Sequence, residues 1–178
     1  PGGLSWHPGM RVKDAIPSVN YLLPDPDLNY ALIKRESEPN RVLSVIAVNL
    51  GEAINSPVSQ SNVALRPRDE ILVFGMTTKV RTKIIEPLLL TLNSQASSAD
   101  PARIVSISGN VRFPGEYPLS EGMSAQTLID AAGGLTEAAY SIQAEVTRSS
   151  LDENKHQVFT RMSLALSQLD SPGAMGIR

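Results

Sequence analysis

Cysteine is absent from this chain of 178 residues, and histidine occurs only as His7 and His156. The lack of cysteine excludes disulfides, thiolate catalysis and cysteine-based zinc sites, and two distant histidines argue against a histidine-rich metal site. Aromatic residues make up only 4% of the chain, too few for the stacking surfaces that bind single-stranded nucleic acid. The net charge of −2 also lacks the basic excess of a phosphate-binding surface.

Long apolar runs are missing as well. No stretch approaches the roughly 18 to 20 apolar residues of a membrane span, and the longest apolar patch, residues 84–92, contains Glu86 and Pro87. The chain opens PGGLSWHPGM, without a basic start followed by an apolar run. Because the first residue is proline, we expect an excised piece of a longer protein. What remains, 42% hydrophobic and 19% charged residues, is the composition of a folded globular chain.

An internal repeat organises the sequence. The segment PGGLSWHPGM at Pro1 resembles PGEYPLSEGM at Pro114, and both the Pro-Gly and the Gly-Met pairs keep the same offset. The same offset places Arg35 on Arg148. Matched pairs in constant register over this length indicate a duplicated unit, so we predict two modules with the same order of elements.

The second copy predicts strands, one helix and a strand pair. The strands are expected at 103–111, 116–119, 142–148 and 155–162, and the helix at 125–132. Ser124 can cap the first amides of this helix. Gly133 can take the left-handed conformation that ends it.

The first copy repeats this order with a shorter helix, because Pro17 cannot lie in a helix interior. Its predicted elements are a helix at 10–16, strands at 28–35 and 41–50 around ESEPN, and a polar turn at 66–70 before a strand at 71–74. Between the copies, residues 78–92 predict an amphipathic helix with Val80, Ile84, Leu88 and Leu92 on one stripe. The polar stretch 93–100 is the expected linker.

The run VSISGNVRFPGEYPLSEGMSAQTLIDAAGGLTEAAYSIQAEVTR, at 105–148, resembles the SLBB (soluble-ligand-binding β-grasp) module. The resemblance rests on a strand, G-x-V-x-x-P-G-x-Y, a helix, A-G-G-L and a strand ending in arginine, with Asn110 where many members have glutamate. The first copy's L-x-P-x-D at Leu65, Pro67 and Asp69 resembles the closing motif of that module, with Arg68 where glycine is frequent.

This resemblance implies an α+β fold of tandem β-grasp (ubiquitin-like) modules, each a mixed sheet with one helix. The expected divisions are 1–74 for the first module without its opening strand, 75–102 for a helical connector and linker, and 103–178 for the second module without its closing strand. Paired SLBB modules are similar to the periplasmic part of bacterial outer-membrane polysaccharide export proteins. The family's export domain is not seen in this sequence.

The resemblance implies a non-catalytic role in exporting a capsule or exopolysaccharide, with no cofactor, in a periplasmic protein at the outer membrane. The expected partners are a polysaccharide or oligosaccharide and other copies of the parent protein, which would form a ring, whereas this piece alone would be a monomer or weak dimer. The alternatives are a soluble carrier of an oligosaccharide or a cobalamin-like cofactor, and a bare interaction module.

Four residues are candidates for ligand contacts. Arg35 and Arg148 occupy equivalent strand positions and could hold sugar hydroxyls or an acidic sugar through the planar guanidinium, although a structural ion pair is the favoured interpretation. Trp6 and Tyr117 lie in the two aligned turns and could stack on a sugar face, with packing over the module helix as the favoured alternative. Asp25 and Asp27, in Pro-Asp-Pro-Asp, are interpreted as a solvated loop.

Overall fold

The computed structural model describes residues 2–97, 101–137, 143–151 and 157–165. The elements in chain order are helix α1 (Val12–Ala15), a 3-10 turn (Val19–Tyr21), strands β1 (Pro26–Ser37) and β2 (Val42–Val48), α2 (Leu50–Asn55), β3 (Glu70–Gly75), α3 (Thr78–Gln95), β4 (Ile104–Ile107), β5 (Gly115–Pro118), α4 (Ala125–Ala131), β6 (Gln143–Leu151) and β7 (Gln157–Ala165). The protein is therefore of the expected α+β class.

Three antiparallel sheets hold these strands. The largest has the order β2-β1-β3, while β4 pairs with β5 and β6 pairs with β7. Parallel pairing, which a mixed sheet requires, does not occur among the described strands. The expectation of one helix per module also differs from the structure, since the first 74 residues contain both α1 and α2.

The central strand β1 is buried on both faces, which explains its unbroken apolar stretch. Successive side chains of a strand point to opposite faces. Tyr30 and Leu32 belong to the hydrophobic cluster on one face, and Ala31 and Ile33 to the cluster on the other. Fully burying an aliphatic side chain such as Leu32 contributes roughly 2 kcal/mol. The three-stranded sheet is thus the middle layer of the structure.

The two faces of this sheet meet different parts of the chain. Helices α1 and α2 pack on the face of Ala31 and Ile33, through Val12, Leu50 and Ala53. The opposite face meets α3 and the second repeat. That cluster contains Ile85, Leu88 and Leu92 of α3 together with Val111, Tyr117, Met123 and Leu128. The two sequence repeats therefore share one hydrophobic core.

Local signals in the sequence set the ends of the short helices. The Ser124 hydroxyl accepts a hydrogen bond from the Thr127 amide at 3.0 Å, and this cap starts α4 where it was predicted. The Asp14 carboxylate accepts a hydrogen bond from the Arg11 amide at the start of α1, which ends before Pro17 as expected. The short α2 was not predicted, since residues 41–50 read as a single strand. Asn49 caps it by accepting a hydrogen bond from Glu52.

The long helix α3 is confirmed but reaches further than expected. It continues to Gln95, so residues 93–95 of the predicted linker are helical. Its buried stripe consists of Arg81, Ile85, Leu88 and Leu92. In the N-terminal part of the helix this stripe lies one residue later than the predicted stripe, since Ile85 is buried whereas Ile84 is only partly buried. A charged residue thus occupies a position of the helix that faces the core.

The two hairpins that follow the repeat helices are alike. Helices α1 and α4 begin at positions with the same offset as the Pro-Gly pairs, and an antiparallel hairpin follows each. Arg35 of β1 lies opposite Ser44, and its repeat equivalent Arg148 of β6 lies opposite Thr160. The chain has three more residues between Arg148 and Thr160 than between Arg35 and Ser44. This agreement supports the duplication found in the sequence.

The glycine pair after α4 provides a test of how tightly this core is packed. Gly133 and Gly134 have φ angles of +77° and +86°, so alanine at either position costs about 1–2 kcal/mol of backbone strain. A Cβ on Gly133 would lie 2.5 Å from the Phe113 ring, whereas one on Gly134 meets nothing within 4 Å. We expect Gly133→Ala to lower the free energy of unfolding by about 1–3 kcal/mol more than Gly134→Ala.

Urea denaturation of the two variants measures this difference directly. Gly134→Ala is the matched control, because it carries the same backbone penalty without the steric clash. Equal destabilisation by the two substitutions would show that Phe113 does not pack against Gly133 as described.

Candidate functional site

A buried arginine joins the two repeats. Arg81 of α3 forms an ion pair with the carboxylate of Asp27 on β1 and donates a second hydrogen bond to the carbonyl of Ala131 at the end of α4. Its side chain is 2% exposed and that of Asp27 is 4% exposed. Three elements that are distant in sequence therefore meet at one guanidinium group.

Two aromatic rings enclose this guanidinium. The Arg81 Cζ atom lies 5.1 Å from the centroid of the Phe74 ring and 4.8 Å from that of Phe113. Phe74 belongs to β3, and its ring also stacks on Tyr30 with centroids 5.4 Å apart. The attraction between a cation and an aromatic face is stronger when the cation is removed from water. The ion pair and the rings form a single polar centre inside the apolar core.

The environment of Asp27 differs from the predicted one, in which the Pro-Asp-Pro-Asp segment is a solvated loop. That interpretation holds for Asp25, which is exposed, and is wrong for Asp27. Besides pairing with Arg81, the Asp27 carboxylate accepts hydrogen bonds from the amides of Asn29 and Tyr30 at 3.0 and 3.2 Å. The carboxylate thus fixes both the start of β1 and the position of α3.

Burial raises the pKa of two tyrosines beside this centre. Loss of solvation is the main cause for both Tyr30 and Tyr117, and the nearby Arg81 charge opposes it. The Tyr30 hydroxyl has no hydrogen-bond partner in the described part of the chain, and neither does Nε of Arg81. Both phenols are therefore kept neutral at ordinary pH, in a role that suits packing rather than proton transfer.

Tyr117 and Trp6, the aromatic candidates for sugar stacking, occupy different environments. Tyr117 is buried, and its hydroxyl donates to the Phe113 carbonyl at 2.6 Å. Trp6 is 40% exposed, and its indole N–H donates to the Leu65 carbonyl at 2.9 Å. The structure does not bring these two side chains together in one cavity, and the Tyr117 ring offers no open face to a ligand.

Arg35 forms a second, separate ion pair. Its Nε and Nη2 atoms donate to the two Asp69 oxygens at 3.0 and 2.6 Å, and Nη2 also donates to the Ala64 carbonyl at 2.9 Å. Such a two-point contact holds the guanidinium in a defined plane. Asp69 belongs to the L-x-P-x-D motif, in which Arg68 has a φ of +69° at the position where glycine is frequent. Arg148 lies in β6, and its side chain falls outside the part of the chain whose side chains the structure describes.

A cleft of about 180 Å³ opens next to Arg35, at the seam between the two repeats. The polar residues of its lining are Arg35, Ser37, Ser44, Arg66, Arg103 and Glu121. The apolar residues of its lining are Val45, Ile46, Leu92 and Leu119. The first repeat, α3 and the second repeat all contribute, so the cleft exists only when the shared core is assembled.

A second cavity of about 280 Å³ includes Asp27 of the ion-pair centre in its lining. It is lined by Asp27, Asn29, Met76, Asp130 and the Gly133–Gly134 pair, among others. Its carboxylates belong to interactions already present, since Asp27 pairs with Arg81 and Asp130 accepts a hydrogen bond from Gln126. Within the described ranges, no group of three or more histidine, aspartate or glutamate side chains is placed to bind a metal ion.

Sequence reasoning missed Arg81, Arg66 and Arg103. A signal for Arg81 was present, because it lies four residues before Ile85 on the apolar stripe of α3, and a charge at such a position predicts a buried ion pair. Nothing in the sequence pointed to Arg66 and Arg103. They are 37 positions apart, and only the packing of the second repeat against β2 brings them to one cleft.

The protein has an α+β fold with a small cleft between its two sequence repeats. Residues 104–155 match the family model of the SLBB domain. This match covers β4, β5, α4 and β6, the second copy of the repeat. No curated protein and no solved structure matches the chain. None of the helices in the described ranges has the length and apolar character needed to cross a membrane.

Removal of the buried arginine tests the structural role of the polar centre. We expect Arg81→Ala to lower the free energy of unfolding by about 3–5 kcal/mol, because it leaves the Asp27 carboxylate buried without its cation. Lys83→Ala on the same helix is the matched control, since Lys83 is exposed, and its effect should stay within about 0.5 kcal/mol. Urea denaturation measures both.

A result in which Arg81→Ala is as mild as Lys83→Ala would contradict the bridging role. Asp27→Asn provides a second test, because it keeps the shape of the side chain and removes its charge. We expect it to destabilise the protein as well, by weakening the contact between β1 and α3.

Proposed function

We propose that this chain is a non-catalytic, ligand-binding and scaffold part of a bacterial polysaccharide-export protein. The observation that carries the proposal is the match of residues 104–155 to the SLBB domain. The name of this domain denotes the binding of a soluble ligand, which is compatible with a role in moving a capsule or exopolysaccharide. The resemblance of paired SLBB modules to export proteins supplies the more specific role.

The proposal includes a tandem arrangement of two β-grasp modules. Its support is the common order of a short helix followed by an antiparallel hairpin, α1 with β1–β2 and α4 with β6–β7. A second support is the L-x-P-x-D motif, whose Asp69 binds Arg35 and so closes the first unit. The second unit carries the domain match itself.

A non-catalytic role is consistent with how the charged side chains are used. The buried Asp27–Arg81 and Asp69–Arg35 pairs join elements of the fold. Each buried carboxylate is held by a guanidinium and by backbone amides. Asp27 shares the lining of the second cavity with Asp130, but its oxygens are bound by Arg81 and by the amides of Asn29 and Tyr30. General acid–base catalysis needs a titratable group that is free to exchange a proton with the substrate.

The size of the cavities favours surface binding of a polymer over enclosure of a large cofactor. Sites for drug-sized ligands usually measure about 300–1,000 Å³. The two cavities described above measure about 180 and 280 Å³. A cobalamin-like macrocycle exceeds both, whereas one or two units of a sugar chain can enter an open cleft of this size while the polymer continues outside.

We place the parent protein in the periplasm at the outer membrane, assembled as a ring through interfaces between different faces of neighbouring copies. The absence of cysteine is compatible with this oxidising compartment. The isolated chain of 178 residues is proposed to be a monomer or weak dimer.

Deletion of the segment encoding this chain from its parent gene tests the function. We expect the deletion to abolish export, so that surface polysaccharide falls to background while its precursor accumulates inside the cell. The Gly133→Ala substitution should reduce export in proportion to the loss of folded protein, and Gly134→Ala serves as its control. Undiminished surface polysaccharide after the deletion would refute the proposed function.

A further inference from the structure

The cleft at the seam of the two repeats has a charge opposite to that of the whole chain. Its lining contains three arginines and one acid, Glu121, in a chain whose net charge is −2. Asp69 neutralises Arg35 through the two-point ion pair. Arg66 and Arg103 remain, and within the described ranges their guanidinium groups form no hydrogen bond or ion pair. The cleft therefore presents two available cations.

The two cations are held by ordered backbone rather than by a free loop. The Arg66 amide donates to an Asp69 oxygen at 2.7 Å, so the turn that carries Arg66 is fixed by the same carboxylate that binds Arg35. The Arg103 carbonyl accepts a hydrogen bond from the Leu119 amide at 2.8 Å, next to the start of β4. One arginine thus comes from each repeat, and the shared core sets their separation.

The rest of the lining indicates an organic anion rather than a bare ion. Leu92, Leu119 and Ile46 contribute apolar surface to the lining, with which an inorganic phosphate would make no favourable contact. Ser37 and Ser44 bring hydroxyl groups, and Glu121 brings a carboxylate that can accept hydrogen bonds. A ligand that matches this lining has an aliphatic face, several hydroxyls and one negative charge.

A sugar unit that bears a carboxylate has these three properties. Its ring C–H groups can contact the apolar part of the lining, its hydroxyls can bond to the serines and Glu121, and its carboxylate suits the planar donor fork of arginine. The volume of about 180 Å³ is below the roughly 300 Å³ at which sites for drug-sized ligands begin, which suits a single sugar ring.

We propose that this cleft binds one acidic unit of a polysaccharide, a hexuronate, with Arg66 and Arg103 holding its carboxylate. The inference rests on the proposed function and specifies the class of polymer it concerns. It assigns carboxylate binding to Arg66 and Arg103 rather than to the repeat-equivalent residues Arg35 and Arg148. Arg35 instead binds Asp69, whose carboxylate holds the turn that carries Arg66.

Isothermal titration of the full chain tests the proposal with a tetrasaccharide of galacturonic acid and, in parallel, a neutral tetrasaccharide of galactose. We expect saturable binding of the acidic ligand alone. Binding should weaken about tenfold or more in Arg66→Gln and in Arg103→Gln, which corresponds to loss of one charged contact. It should also weaken in about 0.5 M salt, because both arginines are exposed to solvent.

Arg112→Gln is the matched control. Arg112 is exposed, belongs to the second repeat like Arg103 and does not line the cleft, so the substitution removes the same charge without altering the site. Its binding of the acidic tetrasaccharide should equal that of the unmodified chain. Circular dichroism confirms that each variant is folded.

Three results would overturn the inference: no binding of the acidic tetrasaccharide, equal binding of the neutral one, or equal weakening by Arg112→Gln. None of these three binding results would refute the proposed function if deletion of the chain still abolishes export. Undiminished export after the deletion refutes the function itself, even if the acidic tetrasaccharide binds in solution.

Discussion

The buried contact of Arg81 with Asp27 is the constraint on which the arrangement of the molecule depends. Two ions removed from water each carry a desolvation penalty of several kcal/mol, which only close pairing and additional hydrogen bonds offset. Here the carboxylate also receives two backbone amides, and the guanidinium also reaches the Ala131 carbonyl and the faces of Phe74 and Phe113. These contacts exist together only when β1, α3 and α4 are correctly placed.

The consequence for function is that the two repeats act as one body. The face of the three-stranded sheet that α3 and the second repeat cover carries Tyr30 and Leu32, which would be exposed in an isolated first unit. The same packing brings Arg103 and Arg66 into the lining of one cleft. A chain that separated its repeats would lose the cleft as well as the core. Neither repeat alone contains this cleft.

Much of this fold follows from local sequence signals, whereas the site does not. Ser124 and Gly133 mark the two ends of α4, and the structure confirms both. The ion pairs depend on contacts between residues far apart in the chain, which turn residues and periodicity do not encode. Asp27 therefore read as a loop residue, and Arg81 was overlooked although its position on an apolar stripe indicated burial. The similarity of the repeats suggests two independent modules, and it does not indicate that they share one hydrophobic core.

Native-state hydrogen exchange tests the central claim, that both repeats form one cooperative unit, most directly. The Phe113 amide bonds to the Ala132 carbonyl within the second repeat, and Ile33 lies in the central strand of the first. The account predicts that the two amides exchange through the same opening, with equal opening free energies and equal dependence on denaturant. Exchange of the Phe113 amide from an opening that leaves Ile33 protected would contradict it.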